Sequence, residues 1–277
     1  NLWLVVLTLM LLYACNKKTT ISDQPVVAKV NSMMNANNGR VADSVFKEID
    51  QLIQNRKVED AEAKLLELKA RFESSGDWDA YLRTVMSLCQ TKMSSGSLSP
   101  VRDYDSRLPN VIDFLRAELT GKEDPVKSIL TNLLAGSYAS LLYQRGQQNQ
   151  DITSVVGQQD QDYLTWSLEQ LQAETNKLFL ASISNEGLSQ YPIYSIALIT
   201  NVDAKNIVSR NIYDFLMIRV LDYMKNPNNF ITEPVYKFEI RGDKYFAPIE
   251  SFIKLNFESQ DSISMILRSL QVYQKLL

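Results

Sequence analysis

The chain contains no histidine. That excludes a histidine general base, a serine–histidine triad and imidazole metal ligands. It has two cysteines, Cys15 and Cys89. If Cys15 is committed elsewhere, no disulfide framework exists. Cys89 ends the apolar run Val85-Met86-Ser87-Leu88 and reads as a buried, inert thiol. Glycine and proline are scarce, nine and eight in 277 residues, so long uninterrupted stretches favour helices over a many-turned β fold. No long basic run occurs and the formal net charge is −3. Nucleic acid is usually held by a clustered Lys/Arg face, so none is expected as a partner. His-Glu-x-x-His, Gly-x-Ser-x-Gly, phosphate-loop and Cys-x-x-Cys patterns are all missing.

What is present starts at the N-terminus. Leu2 to Ala14 is almost wholly apolar, too short for a membrane span of about 20 residues but right for the h-region of an export signal. It closes on Leu12-Tyr13-Ala14-Cys15, which reads as a lipobox: an aliphatic residue, a small residue before the cut, then the cysteine that takes the lipid. Residues 1–14 are therefore expected to be a lipoprotein signal peptide. No Met or basic n-region precedes Leu2, so its start reads as clipped. Cys15 is the expected lipidation site. The polar run Asn16-Lys17-Lys18-Thr19-Thr20 opens a tether expected over 15–40. Asn16 is not the aspartate that holds lipoproteins at the inner membrane. Lys17 and Lys18 stand where acidic residues would send the chain to the cell surface. An outer-membrane lipoprotein facing the periplasm is expected.

From 41 to 277 the periodicity is helical. Val45, Ile49, Leu52 and Ile53 share one face, as do Val58, Ala61, Leu65, Leu68 and Phe72. Ser74-Ser75-Gly76 stops the second stripe, and Asp77 reads as the cap of a helix carrying Trp78, Tyr81, Leu82, Val85 and Leu88. Asp124-Pro125 opens a further helix, with Pro in its first turn. Tyr163–Ile183 reads as one long amphipathic helix, Ile212–Met224 as a strongly apolar one, and helices resume over Ile249–Leu255 and Ile263–Leu277. Val235–Ile240 alternates and predicts at most one short strand. The fold class expected is all-α: antiparallel helical hairpins in a solenoid or bundle, tetratricopeptide-like in spacing, with two halves splitting near 146–160. The apolar, uncapped end at Leu276-Leu277 reads as a cut.

The chemistry read from residues alone is sparse. Arg241-Gly242-Asp243 spells a cell-adhesion tripeptide but reads as a turn, and Glu59, Asp60, Glu62 and Glu67 read as a solvated helix face. The Tyr and Trp residues mostly fall on core stripes rather than on a sugar platform. No catalytic residue, metal ligand or cofactor site is expected.

Five blocks in the second half carry a resemblance. They are Thr165-Trp166-Ser167-Leu168-Glu169-Gln170-Leu171, Leu180-Ala181-Ser182-Ile183, Ile212-Tyr213-Asp214-Phe215-Leu216 with Arg219-Val220-Leu221-Asp222-Tyr223, Thr232-Glu233-Pro234, and Tyr245-Phe246-Ala247-Pro248. In this order they resemble the N-terminal helical region of the large alpha-2-macroglobulin-like lipoproteins of Bacteroidetes-type bacteria, over roughly residues 40–277. The resemblance implies a longer parent chain that continues into macroglobulin domains and traps proteases. This segment would be its membrane-anchored, non-catalytic scaffold, meeting target proteases only indirectly. No thioester motif is present: Cys89 lies in Leu88-Cys89-Gln90-Thr91, not Cys-x-Glu-Gln. The residues alone also leave open a stand-alone helical-repeat lipoprotein that binds glycan or peptide.

Overall fold

The computed structural model describes residues 36–94, 107–147, 162–192, 211–226, 238–257 and 264–277. The protein is all-α: among the described residues there are α-helices and short 3-10 turns but no strand. It packs as two compact units. The described part of the first is 36–94 with 107–111, and that of the second is 112–147, 162–192, 211–226, 238–257 and 264–277. The division falls at Val111/Ile112, inside a helix. Most of 146–160 lies outside the described residues.

The first unit holds α1 (Ala36–Gln54), α2 (Val58–Ser75) and α3 (Trp78–Ser94). α1 starts inside the segment read as tether. Asn37, Asn38 and Gly39 are poor helix formers, but adding a turn to a helix already nucleated by the stripe from Phe46 costs little. α2 ends where the sequence said it would. Gly76 takes a left-handed conformation, φ 69°, which a side chain resists, and its N–H closes on the carbonyls of Glu73 and Phe72. Asp77 then caps α3 by accepting from the Ala80 N–H at 3.2 Å. A connection this short forces α3 back along α2, and Lys92 pairs with Glu62 across them at 2.7 Å. Lys64 pairs with Glu48 across α1 and α2 in the same antiparallel sense. Glu62 thus serves a helix contact, while Glu59, Asp60 and Glu67 are exposed as expected. Arg83 of α3 lies over the buried Phe46 ring of α1, 4.0 Å from its centroid. Cys89 is a free thiol that is half-buried, not fully buried.

α4 (Arg107–Leu119) carries the chain into the second unit, which holds α5 (Val126–Gln147), α6 (Leu168–Ser182), α7 (Ile212–Lys225), the single turn α8 (Ile249–Phe252) and α9 (Met265–Leu276). The long helix expected over Tyr163–Ile183 is broken. Tyr163–Thr165 is a 3-10 turn, Trp166 and Ser167 are extended, and α6 starts at Leu168. The cause is a capping box: the Ser167 hydroxyl accepts from the Gln170 N–H, and the Gln170 side chain accepts from the Ser167 N–H. Tyr191-Pro192 is a turn joined back to the start of α7, the Ile212 N–H donating to the Tyr191 carbonyl at 2.9 Å. Residues 238–240 are not strand; 235–237, like Thr232-Glu233-Pro234, lie outside the described residues. The helix expected over Ile249–Leu255 is one turn, and the last begins at Met265.

Adjacent leucines show how the helical period divides core from surface. Leu65 is fully buried and Leu66 is 47% exposed. Leu65→Ala is expected to destabilise the chain by about 3 kcal/mol and Leu66→Ala by less than about 1 kcal/mol in urea unfolding. Equal losses would contradict the packing of α2.

Candidate functional site

The densest polar chemistry among the described residues sits between α5, α6 and α7. α7 is apolar around most of its surface, with Ile212, Leu216, Met217, Val220 and Leu221 buried. Arg219 interrupts that pattern. The residue is half-buried, with its guanidinium drawn inward, and burial works against its charge. The carboxylate acting on it, Asp222, is itself engaged with Lys225 at 3.2 Å. Instead of an ion pair, Arg219 Nε donates to Asn132 Oδ1 of α5 at 2.7 Å. Asn132 Nδ2 donates to Ser182 Oγ of α6 at 3.0 Å. Ser182 Oγ donates to the Phe179 carbonyl at 2.7 Å. The bonds run one way, from a cation on α7 through α5 to a backbone acceptor on α6. Gly136 lies one turn beyond Asn132, against the guanidinium: a Cβ there would stand 3.9 Å from Nη2, an ordinary van der Waals contact.

Beside this chain Tyr223 donates its hydroxyl to Asn176 Oδ1 at 2.7 Å and stacks on Phe179, centroids 4.4 Å apart. Burial pushes its phenol above the ordinary range. At the far end of α5, Arg145 donates to the carbonyls of Leu164 at 2.6 Å and Trp166 at 3.0 Å. It thereby holds the 3-10 turn against Tyr138. The rings of Tyr138, Tyr163 and Trp166 meet pairwise at 5.5, 6.0 and 6.4 Å, with Arg116 over Tyr163 at 5.5 Å. Burial pushes the Tyr138 phenol up to about 12, so it stays neutral and works as core.

Near the start of α5, Asp124 ties the helix to the chain beyond α6. Its Oδ1 accepts from the Ser128 N–H at 3.2 Å and from the Ser128 hydroxyl at 2.6 Å, and its Oδ2 accepts from Asn185 at 2.6 Å. Burial pushes this carboxyl upward, but the hydrogen bonds outweigh it and hold the carboxyl below its ordinary range.

These groups bond helix to helix. The Ser182 proton is committed to a carbonyl, and the chain has no histidine to take it. Among the described residues no group of three or more His, Cys, Asp or Glu is placed to hold a metal ion. Arg241-Gly242-Asp243 is a turn, as read: Gly242 has φ 96° and opens the 3-10 turn Asp243–Phe246, while Arg241 pairs with Glu239. Cys15, the expected lipidation site, lies outside the described residues, and no helix among those described is long and apolar enough to cross a membrane. Asn132 and Arg145 carry no motif in the sequence, and Ser182 and Arg219 stand there only as members of the resemblance blocks. The available signal was a lone polar residue inside a buried apolar stripe, as at Asn132 among Leu130, Leu133 and Leu134. Comparison of the chain with protein-family models, with curated proteins and with solved structures found no match.

Two outcomes follow from this geometry. Asn132→Leu strands a buried donor on Arg219 and should cost about 2–3 kcal/mol, whereas the double variant with Arg219→Met should regain part of that loss. Urea unfolding of the four proteins measures the cycle, and strict additivity would mean the bond does not couple α5 to α7. For Asp124, the lowered carboxyl means that its contribution is complete above the ordinary unfolded value. It is lost as the pH falls through the lower folded value. Asp124→Asn should therefore flatten the acid side of a melting-temperature–pH profile and leave the shape near neutrality unchanged.

Proposed function

We propose that the chain is the membrane-anchored N-terminal helical scaffold of an alpha-2-macroglobulin-like protease inhibitor, itself non-catalytic. The observation that carries this reading is where the blocks of the resemblance fall in the fold. Thr165–Leu171 contains the capping box that starts α6. Leu180–Ile183 contains Ser182, which receives the bond from α5. Ile212–Tyr223 contributes Arg219 and Tyr223, which fasten α7 to α5 and α6. Three of the five blocks thus hold residues that set helix against helix, as suits a segment whose task is to hold a shape.

In this reading the chain contacts the outer membrane through lipid on Cys15 and faces the periplasm. Macroglobulin domains of the same parent chain do the trapping, and target proteases meet this segment only indirectly. Several acyl chains on one cysteine anchor stably where one alone does not, so no transmembrane helix is needed. One gel tests both halves. In cells fed an alkynyl palmitate analogue, the labelled product should run well above the 31.6 kDa of this chain and lose its label in Cys15→Ser. Label that survives Cys15→Ser would remove the anchor. A labelled product near 31.6 kDa would remove the parent inhibitor.

A further inference from the structure

α5 carries one residue that its own packing does not require. Gly136 sits in the middle of the helix, where glycine is less stable than alanine. Its φ is not left-handed: the left-handed glycines among the described residues are Gly76, Gly121 and Gly242. Nor does a close neighbour exclude a side chain. Apart from the adjoining backbone, the one described atom within 4 Å of where a Cβ would stand is Arg219 Nη2, at 3.9 Å. Alanine would fit the chain as it stands. The glycine instead leaves a small open space, and that space ends on a guanidinium.

That guanidinium is short of acceptors. Nε donates to Asn132 Oδ1 at 2.7 Å, and the Phe215 ring lies to one side with its centroid 5.7 Å from Cζ. Nη1 and Nη2 meet no acceptor among the described residues. Asp222, the carboxylate acting on the charge, is engaged with Lys225 at 3.2 Å. Burial works against the charge, and water can meet the donors without supplying the missing counter-charge. The two Nη groups of an arginine lie side by side and match the two oxygens of a carboxylate in the plane of the fork. One cation calls for one negative charge, which a carboxylate carries and a phosphate at neutral pH exceeds. Arg219, Gly136 and Phe215 are each half-buried. A small solute can reach them, whereas an acidic side chain of another folded protein would have to enter between helices.

We propose that Arg219 Nη1 and Nη2, with the space beside Gly136, form a binding site for the carboxylate of a small organic acid. The site rests neither on the membrane anchor nor on the parent inhibitor. The test uses the isotope-labelled full chain with sodium acetate as the probe, exchanged against sodium chloride at constant ionic strength. The Arg219 Nε–Hε cross-peak, assigned through its side-chain carbons, should move and saturate at acetate concentrations in the millimolar range, as suits a ligand of a few atoms. Gly136→Ala supplies the decisive comparison. In chloride it should melt no lower than the parent chain, because the methyl group fits and alanine favours the helix. It should weaken acetate binding about tenfold or more, because the methyl group takes the acid's place. A Gly136→Ala chain that melts lower in chloride means that the fold itself needs the glycine, and overturns the proposal. Acetate binding that the alanine leaves unchanged does the same. A shift that grows linearly without saturating, or no shift at all, means that water alone serves the guanidinium. Inorganic phosphate that displaces acetate at equal concentration assigns the site to another anion and also overturns the proposal.

Discussion

The second unit depends on a cation kept inside without a carboxylate. Arg219 would cost several kcal/mol if its charge were buried with nothing to receive its donors. Asn132 receives one at 2.7 Å, and the geometry of that bond reaches well beyond the pair. Accepting from Arg219 fixes which end of the Asn132 amide faces α7, so the other end must donate toward α6. Ser182 takes that donation and passes its own proton to the Phe179 carbonyl. Three helices share one chain of bonds with a single sense. Sliding α6 by one turn would break the Asn132–Ser182 link, and sliding α7 would break the Arg219–Asn132 link. Apolar packing alone tolerates such slips far better, because one leucine surface resembles another. The polar chain therefore supplies register to a core whose stability comes from its leucines and aromatics.

This division of labour explains what the sequence revealed. Helix ends governed by local chemistry were legible. Gly76 closing α2, Asp77 capping α3 and the start of α5 after Asp124 each rest on residues within a few positions of one another. So were the core stripes, because a 3.6-residue period survives any tertiary arrangement. The break at Trp166-Ser167 was missed although Ser167-Leu168-Glu169-Gln170 spells a capping box. The apolar stripe ran through it, and periodicity outweighed the cap. The division at Val111/Ile112 was not legible at all: α4 has no composition change there, and only tertiary packing separates its two ends.

The polar site was the least legible part, for a physical reason. Arg219 and Asn132 are 87 residues apart, and neither stands out as chemistry in sequence. An asparagine or arginine in an amphipathic helix is ordinarily on the wet side. Only when α7 proves apolar on most faces does Arg219 become an anomaly that needs a partner. The acidic and tripeptide motifs that do stand out in sequence, Glu59–Glu67 and Arg241-Gly242-Asp243, proved to be mostly exposed surface and a turn. In a chain without histidine, recognisable motifs and structural importance have parted company.

That separation bears on the kind of work such a chain performs. A catalytic site keeps a few polar groups poised and unsatisfied toward a substrate. Here the hydroxyl of Ser182, the amides of Asn132 and Asn176 and the guanidinium of Arg145 all bond to other parts of the chain. Satisfied groups of this kind resist motion and fix the spacing of the helices that carry them.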